Sequence, residues 1–222
     1  MARLQREKLS NQIYAVLKDM IADHRFQPGA RLNIESIARE LDVSRTPVWE
    51  AVRRLEQEGL IENIPNRGVF MSSLTAEKAL DLYAVREILE GMAARLAATR
   101  IDDGALEAMA QCILKQREVI ENQDILAYSK LDFAFHATVY DACGNEWLKE
   151  LLETIKNKMR PLTLHMHPDF STLIDQHAIL LHALQERDPE KAEEAFRRHN
   201  RYMMAQIRED VDAGRWKELG GR

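Results

Sequence analysis

The sequence contains few of the residues that define disulfide-rich, metal-stapled or membrane proteins. Cys112 and Cys143 are its only cysteines among 222 residues and do not form a close-spaced pair, which excludes a disulfide framework and a four-thiolate zinc site. No stretch approaches the roughly 20 apolar residues that a transmembrane helix needs, and Met1 to Leu17 lack the apolar run of a secretory signal. We therefore expect a soluble, cytoplasmic protein with no membrane contact.

An overall positive charge is also lacking, because the chain carries a formal net charge of -5. This balance at first argues against a nucleic-acid partner, but the charge is unevenly distributed. Residues 1–74 contain 11 Lys and Arg against 10 Asp and Glu, a net charge of +1, whereas residues 75–222 contain 20 against 26, a net charge of -6. Binding to DNA would therefore depend on where individual basic side chains lie.

The first third of the chain has the pattern of three helices followed by a hairpin. Apolar residues at helical spacing predict helices that begin after Ser10, Asn33 and Ser44. Only Asp42 and Val43 separate the second helix from the third, so these two helices must cross steeply, as in a helix-turn-helix unit.

A glycine, Gly59, ends the third helix, and two short strands over 60–63 and 69–72 then form a small hairpin. Together these elements predict a winged helix-turn-helix domain over residues 1–74. The domain is the expected site of contact with double-stranded DNA.

The outer face of the third helix is the predicted DNA-recognition surface. Its apolar positions are Val48, Ala51, Val52 and Leu55. Placing these inward turns Arg45, Thr46, Trp49 and Arg53 outward, where a major groove can receive them. Arg67 at the hairpin tip could enter a minor groove. Exposed arginines are also common as solvated surface, and this alternative stays open for each residue taken alone.

From Thr75 onward the strand signals vanish and the pattern is one of about six helices. Asp188 before Pro189 is a typical helix start, and Gly144 before Asn145 indicates a helix end followed by a new cap. An antiparallel helical bundle over residues 75–222 is the expected architecture, with a role in effector binding and dimerisation.

Four polar residues fall on apolar stripes of these helices. They are Asp132, His136, His177 and His199. Burying a polar group without a partner costs roughly 1 to 3 kcal/mol, and a divalent metal would satisfy all four groups at once. Zinc, nickel, manganese, iron and copper are compatible with these ligand types. The alternative is three histidines that are hydrogen-bonded separately in the core.

A fifth polar residue, Arg86, is also expected to point inward, because Leu82, Leu89, Ala93 and Leu96 share its face. A buried guanidinium needs an anion. Arg86 could bind a carboxylate of an effector, or it could form a salt bridge to a carboxylate of the bundle.

The N-terminal motifs carry a resemblance to a known family. These motifs are Pro28-Gly29-Ala30-Arg31-Leu32, the run from Ile37 to Val48, the run from Leu55 to Ile61, and Pro65-Asn66-Arg67-Gly68-Val69. They resemble the GntR family of repressors, which implies a winged helix bound as a dimer to a palindromic operator. The resemblance adds Arg31, Ser44 and Gly68 to the predicted DNA contacts. Trp49 stands where the family commonly has an arginine, so the operator preference is expected to differ.

The C-terminal motifs are similar to the FCD domain of the FadR subfamily. They are Asp132-Phe133-Ala134-Phe135-His136 with Gly144-Asn145, and His177-Ala178-Ile179-Leu180 with Ala183-Leu184, Asp188, Ala192 and His199. The resemblance implies a divalent metal, with zinc or nickel favoured and manganese or iron possible, held by one aspartate and three histidines. It also implies a small organic acid as effector.

These patterns favour a ligand-responsive transcription regulator that binds its operator as a homodimer. In a second hypothesis the metal is itself the signal, or is only a structural element. A metal-dependent hydrolytic enzyme is a third possibility and is disfavoured. No separate general acid or base is evident, and a helix-turn-helix would have no role in such an enzyme. We therefore predict no catalytic residues.

Overall fold

The computed structural model describes residues 2–23, 25–159 and 169–216. The chain folds into two compact units, one up to Leu74 and the other from Thr75. Among the described residues, the first unit has three helices and a small sheet, and the second has six helices. The predicted fold class is confirmed. Residue 1, where the first predicted domain begins, and residues 217–222, where the second ends, lie outside the described residues.

The first unit has the element order of a winged helix-turn-helix. Its elements are α1 (Ala2–Ala22), β1 (Arg31–Leu32), α2 (Ile34–Glu40), α3 (Arg45–Gln57), β2 (Ile61–Ile64) and β3 (Gly68–Met71). Asn33 caps α2, because its side chain accepts a hydrogen bond from the Ser36 N–H. The four-residue turn between α2 and α3 contains Asp42 with a positive φ of 52°.

Two details of the prediction for this unit are wrong. The first helix begins at Ala2 and not after Ser10, because the preceding residues are mostly good helix formers and continue the helix toward the N-terminus. The wing has three strands, not two. Arg31 and Leu32 pair with Phe70 and Val69 in an antiparallel register, giving the strand order β1-β3-β2. A two-residue strand is too short for its period to show in the sequence.

The core of the first unit explains why α3 has a free outer face. Val48, Ala51, Val52 and Leu55 of α3 are at most 1% exposed. They pack in one apolar cluster with α1, α2 and the sheet. The helix is therefore fixed along its inner side, while Arg45, Thr46, Trp49 and Arg53 are exposed.

The second unit is a bundle of six helices. They are α4 (Ala76–Ala98), α5 (Asp103–Glu121), α6 (Ile125–Ala142), α7 (Glu146–Met159), α8 (Phe170–Gln185) and α9 (Pro189–Asp212). Side-chain caps set most of the starts: Thr75, Asp102, Asp124 and Asp188 each accept a backbone N–H of the first turn. Gly144 has a positive φ of 67° and follows the end of α6.

Helix α4 packs against α6, α7, α8 and, most extensively, α9. Its buried side includes the small residues Ala93, Ala94, Ala97 and Ala98, which allow close approach of the neighbouring helices. The arrangement places α6, α8 and α9 around a shared interior. Among the described residues, no helix is both long and apolar enough to cross a bilayer.

Candidate metal centre and nucleic-acid interface

Three histidines from three different helices meet inside the bundle. His136 lies on α6, His177 on α8 and His199 on α9, and all three are at most 5% exposed. Their ring centroids form a nearly equilateral triangle with sides of 5.4 to 5.5 Å. One ligand nitrogen from each ring lies within 4.8 Å of the other two. Neighbouring rings pack around them: Phe135 stacks on His177 at a centroid distance of 4.6 Å.

Each of these imidazoles has its Nδ1 atom next to a side-chain oxygen. The pairs and their Nδ1–Oε1 distances are His136 with Glu90 (2.6 Å), His177 with Gln116 (2.8 Å) and His199 with Gln176 (2.8 Å). Because an oxygen accepts, Nδ1–H donates in each pair and the lone pair is left on Nε2. The Nε2 atom of His177 is buried and has no hydrogen-bond partner among the described residues.

Asp132 lies next to two of the three rings. Its Oδ1 atom is 3.5 Å from Nε2 of His177 and 3.7 Å from Nε2 of His136. Its Oδ2 atom accepts a hydrogen bond from the buried Lys156 ammonium at 2.9 Å. The Asp132 side chain is 28% exposed, so it is less enclosed than its position on the apolar stripe predicts.

The pKa shifts of His136, His199 and Asp132 suit metal binding near neutral pH. Burial lowers the pKa of His136 to about 4 despite the attraction of Glu90. Burial and the neighbouring histidines hold the pKa of His199 well below its usual value. For Asp132, burial would raise the pKa, but the Lys156 ammonium and the neighbouring His177 imidazole hold it well below the usual range. Neutral imidazoles and an ionised carboxylate are the forms that coordinate a metal.

The residues present fit a divalent metal. Metal–ligand distances of about 2.0 to 2.2 Å in a tetrahedral zinc site put neighbouring ligand atoms about 3.4 Å apart, close to the distances from Asp132 Oδ1 to the two nearer imidazoles. The unpartnered Nε2 of His177 is the buried acceptor that such an ion would satisfy. The structure thus brings the three predicted histidine ligands together and places Asp132 beside two of them; the role of all four as ligands stays a prediction.

Arg86 is buried on α4 beside this cluster. Its Nη2 atom lies 3.0 Å from Oε1 of Glu90, 3.2 Å from Nδ1 of His136 and 3.4 Å from its Nε2. The salt bridge that the sequence left as an alternative is therefore present. Its Nε atom is buried without a hydrogen-bond partner among the described residues. Arg86 as an effector contact stays a prediction.

The sequence analysis missed four residues around the cluster, and three of them share one signal. Glu90 is four residues after Arg86, Gln116 is three after Ile113, and Lys156 is four after Leu152. Each continues an inward-facing row at helical spacing, so the same search could have found all three. Gln176 is only half-buried, and its row does not single it out.

The predicted DNA contacts lie on the surface of the first unit. Exposed residues among them are Arg31, Ser44, Arg45, Thr46, Trp49, Arg53 and Arg67. Gly68 is half-buried under the Arg31 side chain: a Cβ atom there would lie 3.0 Å from Nε of Arg31, and the φ of Gly68 is +111°. Glycine is thus needed both for the backbone conformation and for the course of Arg31 across the wing.

An acidic residue of α2 that the sequence pattern does not single out lies next to the first residue of α3. Glu35 on α2 forms an ion pair with Arg45, with 3.0 Å between Oε1 and Nη1, and both side chains are 68% exposed. Arg45 is in the first turn of α3, where free backbone N–H groups favour a phosphate. Glu35 therefore pairs with a guanidinium that is predicted to contact DNA.

Two known families match the chain, one within each of its two compact units. Residues 9–71 match the family described as "Bacterial regulatory proteins, gntR family", and residues 81–202 match the FCD domain. The FCD match alone covers more than half of the chain.

Individual proteins support both matches. The Nta operon transcriptional regulator of Aminobacter aminovorans is 36% identical over 143 residues, which are 64% of this chain and 67% of that protein. The HTH-type transcriptional repressor RspR of Escherichia coli K12 is 27% identical over 207 residues, covering 91% of this chain and 90% of that protein.

Solved structures with similar folds cover nearly the whole chain. A putative GntR transcriptional regulator from Rhodococcus sp. RHA1 superposes with a TM-score of 0.78 at 26% identity, covering 90% of this chain and 97% of that one. E. coli McbR/YncC gives a TM-score of 0.80 at 23% identity, covering 91% and 98%, and this likeness concerns the fold.

Proposed function

Because the chain belongs to the GntR family of bacterial transcription regulators and carries an FCD domain, we propose that it is a metal-containing sensor of a small organic acid that controls operator binding. As predicted, it is a regulator and not an enzyme. One observation carries the proposal: three imidazoles converge inside the bundle, each with Nδ1 next to a side-chain oxygen, and Nε2 of His177 is buried without a hydrogen-bond partner among the described residues.

For the DNA-binding role, we propose that α3 enters a major groove. Arg45 and Thr46 in its first turn contact phosphate and base edges, while Trp49 and Arg53 contact bases. Ser44 and the Arg31–Gly68 pair of the wing contact the backbone, and Arg67 reaches a minor groove. All of these residues except Gly68 are exposed, so no rearrangement of the core is needed.

A homodimer on a palindromic operator is the proposed form. Large apolar side chains are exposed on α4 and α7, two helices that pack together. They are Val85, Ile88 and Met92 on α4, and Trp147 and Leu151 on α7, with exposures from 45% to 79%. Exposed apolar side chains on two neighbouring helices are typical of a protein interface. Pairing of two copies through it would give the two-fold symmetry that a palindrome requires.

We propose that Asp132, His136, His177 and His199 hold the metal, with zinc or nickel favoured and manganese or iron also compatible. The metal would act as a Lewis acid that binds a carboxylate group. Arg86 is next to His136 and has an unpartnered Nε atom, so a small organic acid held beside both is the effector that fits. Effector binding would then favour one of two dimer states that differ in operator affinity.

Metal removal tests this proposal and separates it from the hypothesis that the metal is the signal. The protein is stripped with a chelator and reloaded with Zn²⁺ or Ni²⁺, and binding to an operator duplex selected from random DNA is measured with and without a panel of small carboxylic acids. If the organic acid is the signal, one acid changes operator affinity only in the metal-loaded protein. A change on metal loading alone, with no acid effective, would instead favour the metal as signal.

The docking on DNA is tested independently of the metal. Because the proposed contacts include several phosphates, log affinity should fall steeply and linearly with log salt. Binding should also need two half-sites about one helical turn or slightly more apart. Salt-insensitive binding, or full affinity for a single half-site, would contradict the proposed docking.

A further inference from the structure

Glu90 is a fully buried carboxylate at the centre of the bundle, bound by side chains of three helices. Its Oε1 atom accepts hydrogen bonds from the Tyr140 hydroxyl at 2.6 Å and from Arg86 Nη2 at 3.0 Å, and lies 2.6 Å from His136 Nδ1. Its Oε2 atom accepts from the Asn200 amide at 2.7 Å. One carboxylate on α4 therefore joins α4, α6 and α9.

Pairing with Arg86 does not by itself account for this arrangement. A buried carboxylate is expensive to desolvate, and a well-packed apolar residue would usually serve stability as well. Of the groups around Oε1, the His136 ring is closer than the guanidinium, 2.6 Å against 3.0 Å. The contact with the imidazole is thus a main feature of the site and not a by-product of the ion pair.

The other two histidines provide an internal comparison. His177 and His199 donate from Nδ1 to neutral amide oxygens, whereas His136 donates to a carboxylate. A carboxylate is a stronger acceptor than an amide. It fixes one tautomer more firmly and makes the opposite nitrogen a better metal ligand.

We infer that Glu90 is a positioning residue of the metal centre: its carboxylate holds His136 in the Nδ1–H tautomer and leaves the Nε2 lone pair directed to the partner shared with His177 and His199. The inference rests on the proposed metal centre and adds to it a residue on α4. Glu90 has this role in addition to its ion pair with Arg86.

Three variants of the full chain separate positioning from charge pairing. Glu90→Asp keeps a carboxylate for Arg86 but is one methylene shorter, so it withdraws the oxygen from His136. Glu90→Gln keeps the length and replaces the carboxylate by a weaker acceptor. Asp210→Asn is the matched control, because Asp210 is another buried carboxylate, paired with Arg215 and absent from the centre.

Two measurements are made on each protein. Long-range ¹H–¹⁵N spectra of the metal-stripped protein report the histidine tautomers without any metal, and competition titrations report Zn²⁺ affinity. We expect Glu90→Asp to lose the single Nδ1–H tautomer of His136 and to bind Zn²⁺ about 10- to 100-fold more weakly, the usual effect of removing a ligand's hydrogen-bond partner. Glu90→Gln should change both in the same direction, and Asp210→Asn should change neither.

The outcomes distinguish this inference from the metal centre on which it rests. Wild-type protein that binds neither Zn²⁺ nor Ni²⁺ would overturn the proposed metal centre, whatever the tautomer. Wild-type protein that binds Zn²⁺ but holds His136 as the Nε2–H tautomer would overturn the role of Glu90 alone. Wild-type Zn²⁺ affinity and an unchanged His136 tautomer in a folded Glu90→Asp or Glu90→Gln variant would do the same.

Discussion

In the bundle, His136, His177 and His199 are buried, and a second side chain fixes each of their Nδ1 atoms. On α3, by contrast, Arg45 and Arg53 are exposed, and Arg45 pairs with the exposed Glu35. The first arrangement is organised before any ligand arrives. In the proposed function, the second arrangement would be completed only when DNA binds.

This contrast has energetic consequences. Buried groups in one network share their partners, so removing one disturbs the rest and the effects are not additive. Exposed contacts that act on separate phosphates or bases contribute more independently. The following predictions test whether the two sites differ in this way.

The largest effect is expected for removal of a histidine from the bundle. We predict that His177→Ala lowers Zn²⁺ affinity by more than the roughly 100-fold that loss of a ligand's hydrogen-bond partner can cause. At Zn²⁺ concentrations near 100 times the wild-type Kd, the wild-type protein should gain about 2.7 kcal/mol in its free energy of unfolding, and the variant almost none. Denaturant unfolding with and without Zn²⁺ measures both.

The same helix supplies the control for that prediction. His182 is 73% exposed on α8 and its closest acid is Glu186 at 3.7 Å, so His182→Ala should gain as much stability from Zn²⁺ as the wild type. Equal Zn²⁺ stabilisation of the His177→Ala and His182→Ala proteins would show that the buried triangle does not bind the ion.

A smaller and more independent loss is expected on α3. Arg45→Ala should weaken operator binding by about 1 to 3 kcal/mol if Arg45 reads a base, or by less if it binds phosphate, in which case the salt slope falls by about one. The matched control is Arg117→Ala, an equally simple change to an exposed, ion-paired arginine of the bundle. An Arg45→Ala protein with wild-type affinity and salt slope would remove the first turn of α3 from the interface.

For Trp49 we predict an effect on which bases are preferred and not on how tightly DNA is held. An indole cannot make the bidentate contact of a guanidinium with guanine, which is worth about 1 to 3 kcal/mol. Trp49→Arg should therefore favour operator variants with guanine at one position of each half-site, in a competition between duplexes that differ there. Trp49→Phe, which keeps an apolar ring, should retain the wild-type preference. Identical preferences in all three proteins would place residue 49 away from the bases.

How much of each site could be predicted from sequence follows the same contrast. The inward positions of His136, His177 and His199 follow from helical period, because each replaces an apolar residue in a repeating row. Exposure of Arg45 and Trp49 follows from the same rule applied to α3. In both cases a burial pattern, and not a ligand, determines the position.

The helical period does not specify which groups lie opposite each other across helices. The contacts of Glu90 with Tyr140 and Asn200 join residues 50 and 110 positions apart. The Glu35–Arg45 pair depends on the angle between α2 and α3. The short strand β1 forms only because β3 offers an edge to pair with. Such contacts depend on tertiary packing, which a single sequence read locally does not specify.

The smallest expected effect is that of Glu35→Gln, and it sharpens the comparison most directly. An ion pair with both side chains 68% exposed is worth about 0 to 1 kcal/mol, so the variant should unfold at nearly the wild-type denaturant midpoint. Operator binding should nevertheless tighten by a few-fold at low salt, because Arg45 is freed and a negative charge is removed from beside a phosphate. The gain should shrink as salt increases.

The control is Glu40→Gln. Glu40 lies on the same helix as Glu35 and forms an exposed ion pair with Arg25, so this variant should leave operator affinity unchanged. If Glu35→Gln instead cost as much stability as removal of a buried group, the two sites would not differ in how their side chains are held.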